Sequence, residues 1–246
     1  MMEDSLTEGL THLLFPRKCP GCGIVLPTGR LVCEECAGEF RQVEEPTCLI
    51  CGRHLEEGDG EKCYTCTNSD RSNIFGISIF VYDDIMKKAM SDLKFHGQKD
   101  NADYFAAMAV SRAGSRIRAF DPSALIPVPV HKSRLRTRGY NQAEVICQKI
   151  GELLGIPVIT DLLVRSRKTD YQKNLGKLMR TRNLEGAFSC NTDIYPKERV
   201  AAELPRVMLV DDIYTTGSTM EHCAAKLVEA GVSEIGLLSI CIGGGT

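Results

Sequence analysis

Residues 207–219 combine the side-chain types that would be needed to hold a phosphorylated sugar. Four apolar residues at 207–210 predict a buried strand, because a parallel strand covered on both faces needs no polar alternation. Two carboxylates, Asp211 and Asp212, follow where we expect this strand to end. Such carboxylates accept hydrogen bonds from sugar hydroxyls or bind a hard divalent cation such as Mg²⁺.

A small, hydroxyl-rich turn comes next, ahead of a helical pattern at 220–230. It consists of Thr215, Thr216, Gly217, Ser218 and Thr219. The start of a helix presents unpaired backbone N–H groups, and the helix dipole favours an anion there. Gly217 would let the backbone approach that anion, and the hydroxyls would add donors. A phosphate cradle beside acceptors for a diol and a metal predicts a site for a phosphorylated ribose.

This run resembles the phosphoribosyl diphosphate (PRPP) signature of type I phosphoribosyltransferases. The match covers the four apolar positions, the acidic pair, two intervening residues and the Thr-Thr-Gly-Ser-Thr loop. Neither a Walker A loop nor a G-x-G-x-x-G dinucleotide fingerprint is present. The resemblance implies that residues 215–219 hold the 5-phosphate, and that Asp211 and Asp212 face the ribose hydroxyls and Mg²⁺. An ordinary strand–turn–helix with a threonine N-cap is the alternative interpretation.

Eight cysteines near the N-terminus form four Cys-x-x-Cys pairs, and two such turns can complete a tetrahedral Cys₄ zinc site. The pairs form an internal repeat. The simplest assignment is two sequential structural zinc ribbons, with Cys19, Cys22, Cys33 and Cys36 on one ion and Cys48, Cys51, Cys63 and Cys66 on the other. Spacing alone also allows a cross-braced arrangement, with the first pair joined to the third. A redox role competes, but four regularly spaced pairs argue against it.

Length and composition are those of an ordinary globular protein. The 246 residues, 43% hydrophobic and 25% charged, can form one sizeable domain and one small one. No apolar run approaches the roughly 20 residues that span a bilayer, and the N-terminus lacks the basic start of a signal peptide. We therefore expect a cytoplasmic protein without a membrane segment, in which paired cysteines bind metal rather than form disulfides.

Charge is segregated along the chain, although the net charge is only −2. Residues 1–70 carry 6 basic and 13 acidic side chains, whereas residues 131–182 carry 12 basic and 4 acidic ones. The basic middle predicts a polyanionic partner. Its first loop, at 131–139, carries Arg134, Arg136 and Arg138, and arginine suits bidentate phosphate contacts. A solvated basic loop is the alternative.

The apolar patterns divide the chain into a helix at 1–17, a double zinc ribbon at 18–69 and an α/β domain at 74–246. Strands are predicted at 74–82, 124–130, 159–164, 186–190, 207–210 and 234–240, and helices at about 84–95, 100–118, 141–150 and 220–230. The basic segment 166–183 is expected to be a mobile lid or binding loop, and 191–204 a surface excursion. Lys94 and His96 are expected at a solvated helix end. Cys147, Cys190, Cys223 and Cys241 lack ligand spacing, which predicts reduced thiols in or near the core.

The chain as a whole resembles the ComF (ComFC-type) competence family. The resemblance lies in the Cys-x-x-Cys block, Pro127-Val-Pro129, the Arg-Gly-Tyr-Asn-Gln element at 138–142, the residues Gln172, Arg180 and Asn183, and segment 210–217. It implies a zinc module joined to a type I phosphoribosyltransferase domain, a parallel sheet flanked by helices. It also implies that loop 131–139 binds pyrophosphate and that 166–183 is the active-site flap. PRPP, Mg²⁺, single-stranded DNA and a helicase-like competence protein are the implied ligands and partners.

Two functions remain compatible with the sequence. In one, the protein is an active phosphoribosyltransferase, a pentosyltransferase in which Mg²⁺ and arginines neutralise the departing pyrophosphate. In the other, it is a binding module that holds PRPP or a nucleic-acid 5′-phosphate while the basic strip follows a DNA backbone during DNA uptake. No residue identifies an acceptor. Aromatic residues near the basic loops are few, Tyr140 and Tyr171, so phosphate contacts are favoured over base stacking.

Overall fold

The structure, a computed structural model, describes residues 16–67, 74–166 and 186–243. Its helices are α1 (Glu34–Ala37), α2 (Tyr64–Thr67), α3 (Asp84–Phe95), α4 (Asn101–Phe120), α5 (Lys132–Arg138), α6 (Gln142–Leu154), α7 (Lys197–Glu203) and α8 (Ser218–Glu229). Its strands are β1 (Ile74–Val81), β2 (Ala124–Pro127), β3 (Leu163–Arg165), β4 (Phe188–Cys190), β5 (Arg206–Tyr214) and β6 (Glu234–Ile242). The predicted helix at 1–17 and the predicted flap at 166–183 lie almost wholly outside these ranges.

A four-stranded parallel sheet in the order β1-β6-β5-β2 forms the centre of the domain, which confirms the predicted α/β class. Its two middle strands are covered on both faces, so their sequences are nearly continuous apolar runs. In β6, every residue after Glu234 is buried. Because parallel neighbours need crossover connections, helices separate β1 from β2 and β5 from β6 along the chain.

Four local predictions are wrong. The segment predicted as a strand at 159–164 divides: Val158 bridges Leu125 in parallel, and only Leu163–Arg165 forms a strand, paired antiparallel with β4. The loop predicted at 131–139 contains helix α5, which His131 caps through its ring nitrogen. The surface excursion predicted at 191–204 contains α7, whose Val200 is fully buried.

The fourth correction concerns the acidic pair, which lies inside a strand instead of after it. Strand β5 continues beyond the predicted end at Val210, and its pairing with β6 runs on to Tyr214 opposite Ile242. Asp211 lies opposite Ser239 in this register. The two carboxylates are therefore held by a paired backbone, not by a loop.

The cysteine-rich region packs along the outer edge of β1. Val43 N–H donates to the Ile79 carbonyl at 2.9 Å, and Val81 N–H donates to the Arg41 carbonyl at 2.9 Å. Farther along the strand, Gly76 N–H donates to the Leu49 carbonyl at 2.7 Å. The edge strand thereby gains backbone partners on the side that lacks a sheet neighbour, and an unpaired edge is otherwise prone to aggregation.

The two halves of this region share different parts of the core with the α/β domain. Cys19, Leu26, Cys36 and Phe40 belong to one hydrophobic cluster with α3, α4 and α6. The four cysteines from Cys48 to Cys66 belong to a second cluster with α7 and α8. In the first, Phe40 lies 5.0 Å from Tyr104 and 5.9 Å from Phe80, centroid to centroid. The region is therefore an integral part of the fold.

None of the helices in the described ranges has both the length and the apolar content that crossing a bilayer requires.

We expect Gly76→Ala to destabilise the protein by about 2 kcal/mol, because a Cβ here would overlap the Ile50 carbonyl oxygen and separate the ribbon from β1. Gly38→Ala is the matched control, since a Cβ at Gly38 meets no atom within 4 Å and its φ of −82° suits alanine. Urea unfolding measures both. Equal stability of the two variants would contradict the close approach of ribbon and strand.

Candidate ligand pocket and zinc centres

A pocket of about 550 Å³ lies at the carboxyl ends of β2 and β5, where parallel α/β sheets bind ligands. This volume falls within the range of about 300–1,000 Å³ that is usual for small-molecule sites. The residues that line it are Tyr82, Lys87, Met90, Ser91, Lys94, Phe95, Val128, Pro129, Val130, Arg134, Arg138, Asn141, Gln142, Arg165, Asp211, Asp212, Ile213, Thr215 and Thr219.

Asp211 and Asp212 both line the pocket. Asp212 N–H donates to Asp211 Oδ1 at 2.9 Å, which fixes the first carboxylate against the backbone of the second. Burial, followed by the negative charge of Asp212, raises the pKa of Asp211 well above its ordinary value. The two carboxyl groups therefore differ in protonation, and Asp211 is the one that retains a proton more readily.

Lys94 makes an ion pair with Asp212 that the sequence did not reveal. Both side chains are largely buried, with exposures of 17% for Lys94 and 8% for Asp212. Burial acts to raise the pKa of Asp212, but the charge of Lys94 and its hydrogen bond outweigh burial and lower that pKa. The predicted solvated helix end is therefore wrong for Lys94. It holds for His96, which is exposed and pairs with Asp92.

Helical spacing gave a signal for Lys94 that could have been used. The buried face of α3 carries Met86, Ala89, Met90 and Leu93. Lys94 lies four residues after Met90, so it projects at the border of this face instead of away from it. A lysine at such a border needs an anion, and Asp212 supplies it.

The hydroxyl-rich turn is divided between pocket and core. Thr215 and Thr219 line the pocket, whereas Ser218 is buried at the start of α8, and its hydroxyl lies 3.1 Å from that of Thr216. Gly217 is the N-cap of α8, with a φ of 80°, and no side chain caps the helix. The threonine N-cap considered as an alternative is therefore absent, and the first backbone N–H groups of α8 have no side-chain cap.

Helix α5 orients the three predicted arginines differently. Arg134 and Arg138 are one turn apart, so they share a face, and both line the pocket. Arg136 lies between them in sequence, is exposed and does not line the pocket. Arg165, on β3, adds a further guanidinium that lies 5.1 Å from the ring centroid of Phe188. The structure thus brings together two of the three predicted arginines and one that was not predicted.

The element at 138–142 fastens one wall of the pocket. Gly139 ends α5 with a φ of 81°, a conformation that favours glycine. Tyr140 is buried, and its hydroxyl donates to the Leu93 carbonyl beside Lys94. Asn141 caps α6 through Ala143 N–H at 3.1 Å and donates to the Val128 carbonyl at 3.0 Å. Gln142 Oε1 accepts from Arg138 at 3.0 Å.

The zinc-ribbon cysteines form two clusters in sequential order, not in the cross-braced one. Cys19, Cys22, Cys33 and Cys36 come together, as do Cys48, Cys51, Cys63 and Cys66, with the sulfur atoms of each cluster within 4.8 Å of one another. Tetrahedral Zn–S bonds of about 2.3 Å imply sulfurs about 3.8 Å apart. The observed separations fit: 3.6 Å from Cys19 to Cys33, 3.8 Å from Cys22 to Cys33 and 3.8 Å from Cys51 to Cys63.

The knuckle geometry also suits metal-bound thiolates. Cys36 N–H donates to Cys33 Sγ at 3.4 Å. Burial acts to raise the pKa of Cys19, but backbone N–H groups, foremost that of Cys33, lower it to about 6, whereas burial and the neighbouring thiols raise the pKa of Cys36. A thiolate is the form that binds metal. The donor set and its spacing therefore fit two structural zinc ions.

The other cysteines lie outside both clusters; Cys147, Cys223 and Cys241 are buried, and Cys190 is partly buried.

Comparison with known proteins agrees with this architecture. A family model described as a double zinc ribbon domain matches residues 10–67. Competence protein F of Haemophilus influenzae is 31% identical over 206 residues, which cover 81% of this chain and 86% of that protein. The chain belongs to the competence protein F (ComF) family. Two further ComF-like relatives are 26% identical. They are competence protein ComFC of Bacillus subtilis, over 81% of this chain and 79% of that protein, and DNA utilization protein YhgH of Salmonella typhi, over 93% and 98%.

A weak structural likeness accompanies these matches. A purine phosphoribosyltransferase from Pyrococcus horikoshii Ot3 aligns with 56% of this chain and 73% of its own, with a TM-score of 0.31 and 16% identity. A likeness at this level supports no conclusion about fold or activity. The ComF assignment rests on the sequence relatives, and the architecture on the sheet and the two cysteine clusters.

We expect Lys94→Met to lower the free energy of unfolding by about 3 kcal/mol, because it leaves the buried Asp212 carboxylate without its cation. Asp212→Asn added to Lys94→Met should recover part of this loss. Urea unfolding measures both, with Lys87→Met as the matched control: its ion pair with Asp84, on the same helix, is exposed and contributes little.

The effect of Lys94→Met should depend on pH. Since the folded-state pKa of Asp212 is lowered, its contribution is complete above the ordinary pKa of about 4 and is lost as pH falls through the folded value. A loss of stability from Lys94→Met that is the same at neutral and at strongly acidic pH would contradict the pairing.

Proposed function

We propose that this ComF protein binds PRPP together with Mg²⁺ in the pocket, and that it acts in the cytoplasm on single-stranded DNA taken up during natural competence. One observation carries the proposal: a single cavity is lined by an acidic pair, by two threonine hydroxyls at the start of a helix and by arginines. This is the donor and acceptor set that a ribose carrying a 5-phosphate and a diphosphate requires.

The charge balance of the pocket favours an anionic ligand. Its lining includes five basic side chains, Lys87, Lys94, Arg134, Arg138 and Arg165, against only two acidic ones. Of the acidic ones, Asp212 is paired with Lys94, and Asp211 has a raised pKa. Lys87 is likewise paired, with Asp84. Arg134, Arg138 and Arg165 give the lining its basic character, which would attract a polyphosphate.

We propose separate roles for the residues that would contact each part of the ligand. Thr215 and Thr219, beside the uncapped start of α8, supply donors for the 5-phosphate. Arg134 and Arg138 would contact the diphosphate. Asp211 and Asp212 would accept from the ribose hydroxyls. The acidic pair carries little net negative charge. Mg²⁺ would therefore enter already bound to the diphosphate, and Asp211 and Asp212 would coordinate it only together with the ligand.

The relatives supply the biological setting of the proposal. Two of them are named competence proteins, and YhgH is named a DNA utilization protein. A basic pocket on a protein of this family suits a DNA phosphate backbone or a strand end as well as PRPP. We also propose a helicase-like competence protein as a partner, which the family resemblance implies.

A second candidate is an active phosphoribosyltransferase, and the arginines that line the pocket favour it. Pyrophosphate gains negative charge as it departs, and Arg134 and Arg138 would neutralise this charge. The test is incubation with PRPP, Mg²⁺ and a panel of bases and amines, with pyrophosphate release as the readout. Release that requires an acceptor identifies the enzyme, whereas binding without release identifies a PRPP-binding module.

We expect PRPP to bind only with Mg²⁺ present, and binding to weaken at least 100-fold in Asp211→Asn/Asp212→Asn, because two acceptors for the ribose hydroxyls and the metal are weakened. Isothermal calorimetry measures both effects. Asp193→Asn, at an exposed aspartate, is the control. Equal affinity of the acidic-pair variant and the parent would remove PRPP from this pocket.

We expect the affinity for single-stranded DNA to fall steeply as salt rises. In Arg134→Ala/Arg138→Ala the affinity should be lower and should depend less on salt. Loss of two phosphate contacts on a single strand should reduce the slope of log K against log salt by about 1.4. Fluorescence anisotropy of a labelled oligonucleotide measures this slope. Arg136→Ala is the internal comparison, since Arg136 is on the same helix but outside the pocket; an equal effect of all three arginines would place the strand on the outer surface.

A further inference from the structure

Phe95 is an aromatic residue of the pocket that is not used to fill the core. It is the last residue of α3, and it lines the pocket while 64% of it is exposed. The other apolar side chains of the lining are all less exposed than Phe95; Met90 and Val128, for example, are 1% and 4% exposed. An aromatic ring left open at the mouth of a polar cavity contributes little to folding, and it offers a flat apolar face to a ligand.

Arg138 lies over the Phe95 ring. Its guanidinium carbon is 4.7 Å from the ring centroid, within the range of a cation–π contact. The same guanidinium donates to Gln142 Oε1 at 3.0 Å, so it is held from the α6 side as well. An aromatic ring beside a fixed guanidinium, next to phosphate donors, is the combination on which nucleobases stack.

The other aromatic residues near the pocket are engaged elsewhere. Tyr140 is 8% exposed, with its hydroxyl bound to the Leu93 carbonyl and the Lys99 ammonium 4.5 Å from its ring centroid. Tyr82 lines the pocket, but its ring packs directly over Gly243, where a Cβ would lie 3.0 Å from the ring. Phe95 is therefore the aromatic side chain in the described part of the pocket that is mainly exposed, with Arg138 over one face of its ring.

We propose that Phe95 and Arg138 form a stacking surface for a nucleobase, and that the pocket therefore takes a complete nucleoside 5′-phosphate unit. The proposal rests on the phosphate-binding pocket described above and deepens it, because it adds a base subsite to the phosphate and ribose subsites. The unit is either a free nucleotide or the 5′-terminal residue of a phosphorylated single strand. The chemistry of recognition, phosphate at one end and a π-face at the other, is shared by both.

A tryptophan in place of Phe95 tests the proposal directly, because the chain contains no tryptophan of its own. In Phe95→Trp, adenosine 5′-monophosphate should quench the indole fluorescence by stacking on it, whereas ribose 5-phosphate should bind without quenching. Tyr64→Trp, at a tyrosine that is 87% exposed on the second zinc ribbon and outside the pocket, is the control and should not respond to either ligand.

Phe95→Leu keeps the apolar character of the side chain but removes the π-face. We expect it to weaken adenosine 5′-monophosphate about tenfold or more, measured by calorimetry, and to leave ribose 5-phosphate unchanged. Because the side chain is mainly exposed, the variant should fold like the parent, which the melting temperature checks.

The outcomes distinguish the base subsite from the phosphate pocket on which it rests. The base subsite is overturned if the parent binds adenosine 5′-monophosphate no more tightly than ribose 5-phosphate and if the nucleotide does not quench Phe95→Trp. In that case the phosphate pocket remains supported by the binding of ribose 5-phosphate. Failure of both ligands to bind the parent overturns the phosphate pocket, and the base subsite with it.

A second pair of ligands distinguishes the two sources of the nucleotide. An oligothymidylate with a 5′-phosphate should quench Phe95→Trp more strongly than the same strand with an abasic 5′-terminal residue. Strand binding far tighter than that of the free nucleotide assigns the subsite to DNA ends, and equal affinity assigns it to free nucleotides. Identical quenching by the two strands would contradict stacking of the terminal base.

Discussion

The buried carboxylate of Asp212 is the constraint on which the pocket depends. A charge removed from water is costly unless a partner of opposite sign lies against it. Asp212 is on β5, in the middle of the sheet, and Lys94 reaches it from the end of α3. This contact fixes where α3 ends relative to the sheet. It also places the next residue, Phe95, at the mouth of the cavity.

Residues 138–142 form one wall of the pocket, and Tyr140, Asn141 and Gln142 each make a different contact there. Tyr140 bonds to the carbonyl of Leu93, the residue before Lys94, so α3 is tied to the turn between α5 and α6. Asn141 ties the same turn to the chain after β2 through Val128, and Gln142 orients Arg138. Three neighbouring polar side chains thus join three elements around one cavity. Together these residues fix a geometry that no single one of them could.

Sequence alone predicted the parts of this molecule in which a local pattern determines the structure. The apolar runs of β5 and β6 required a sheet covered on both faces, and the spacing of the eight cysteines required clustered thiols. It was less informative where a structure depends on contacts far apart in the chain. Nothing near Lys94 indicates that Asp212 will lie beside it, and nothing near Phe95 indicates that Arg138 will. Helices α5 and α7 were missed because they are short. Helix α5 has no buried residue, and α7 has only Val200.

The zinc ribbons complete the same sheet from its other edge. Strand β1 lacks a sheet neighbour on one side, and residues 41–43 and 49–52 fill that side with backbone hydrogen bonds and close contacts. The approach is possible because Gly76 and Gly52 lack a Cβ where the two backbones meet. Each cysteine cluster then joins a different part of the hydrophobic core. Short segments with little regular structure cannot hold such positions through packing alone, and structural zinc contributes folding energy outright. Since β1 leads into α3, the cysteine-rich region packs against the strand that directly precedes the helix carrying Lys94 and Phe95.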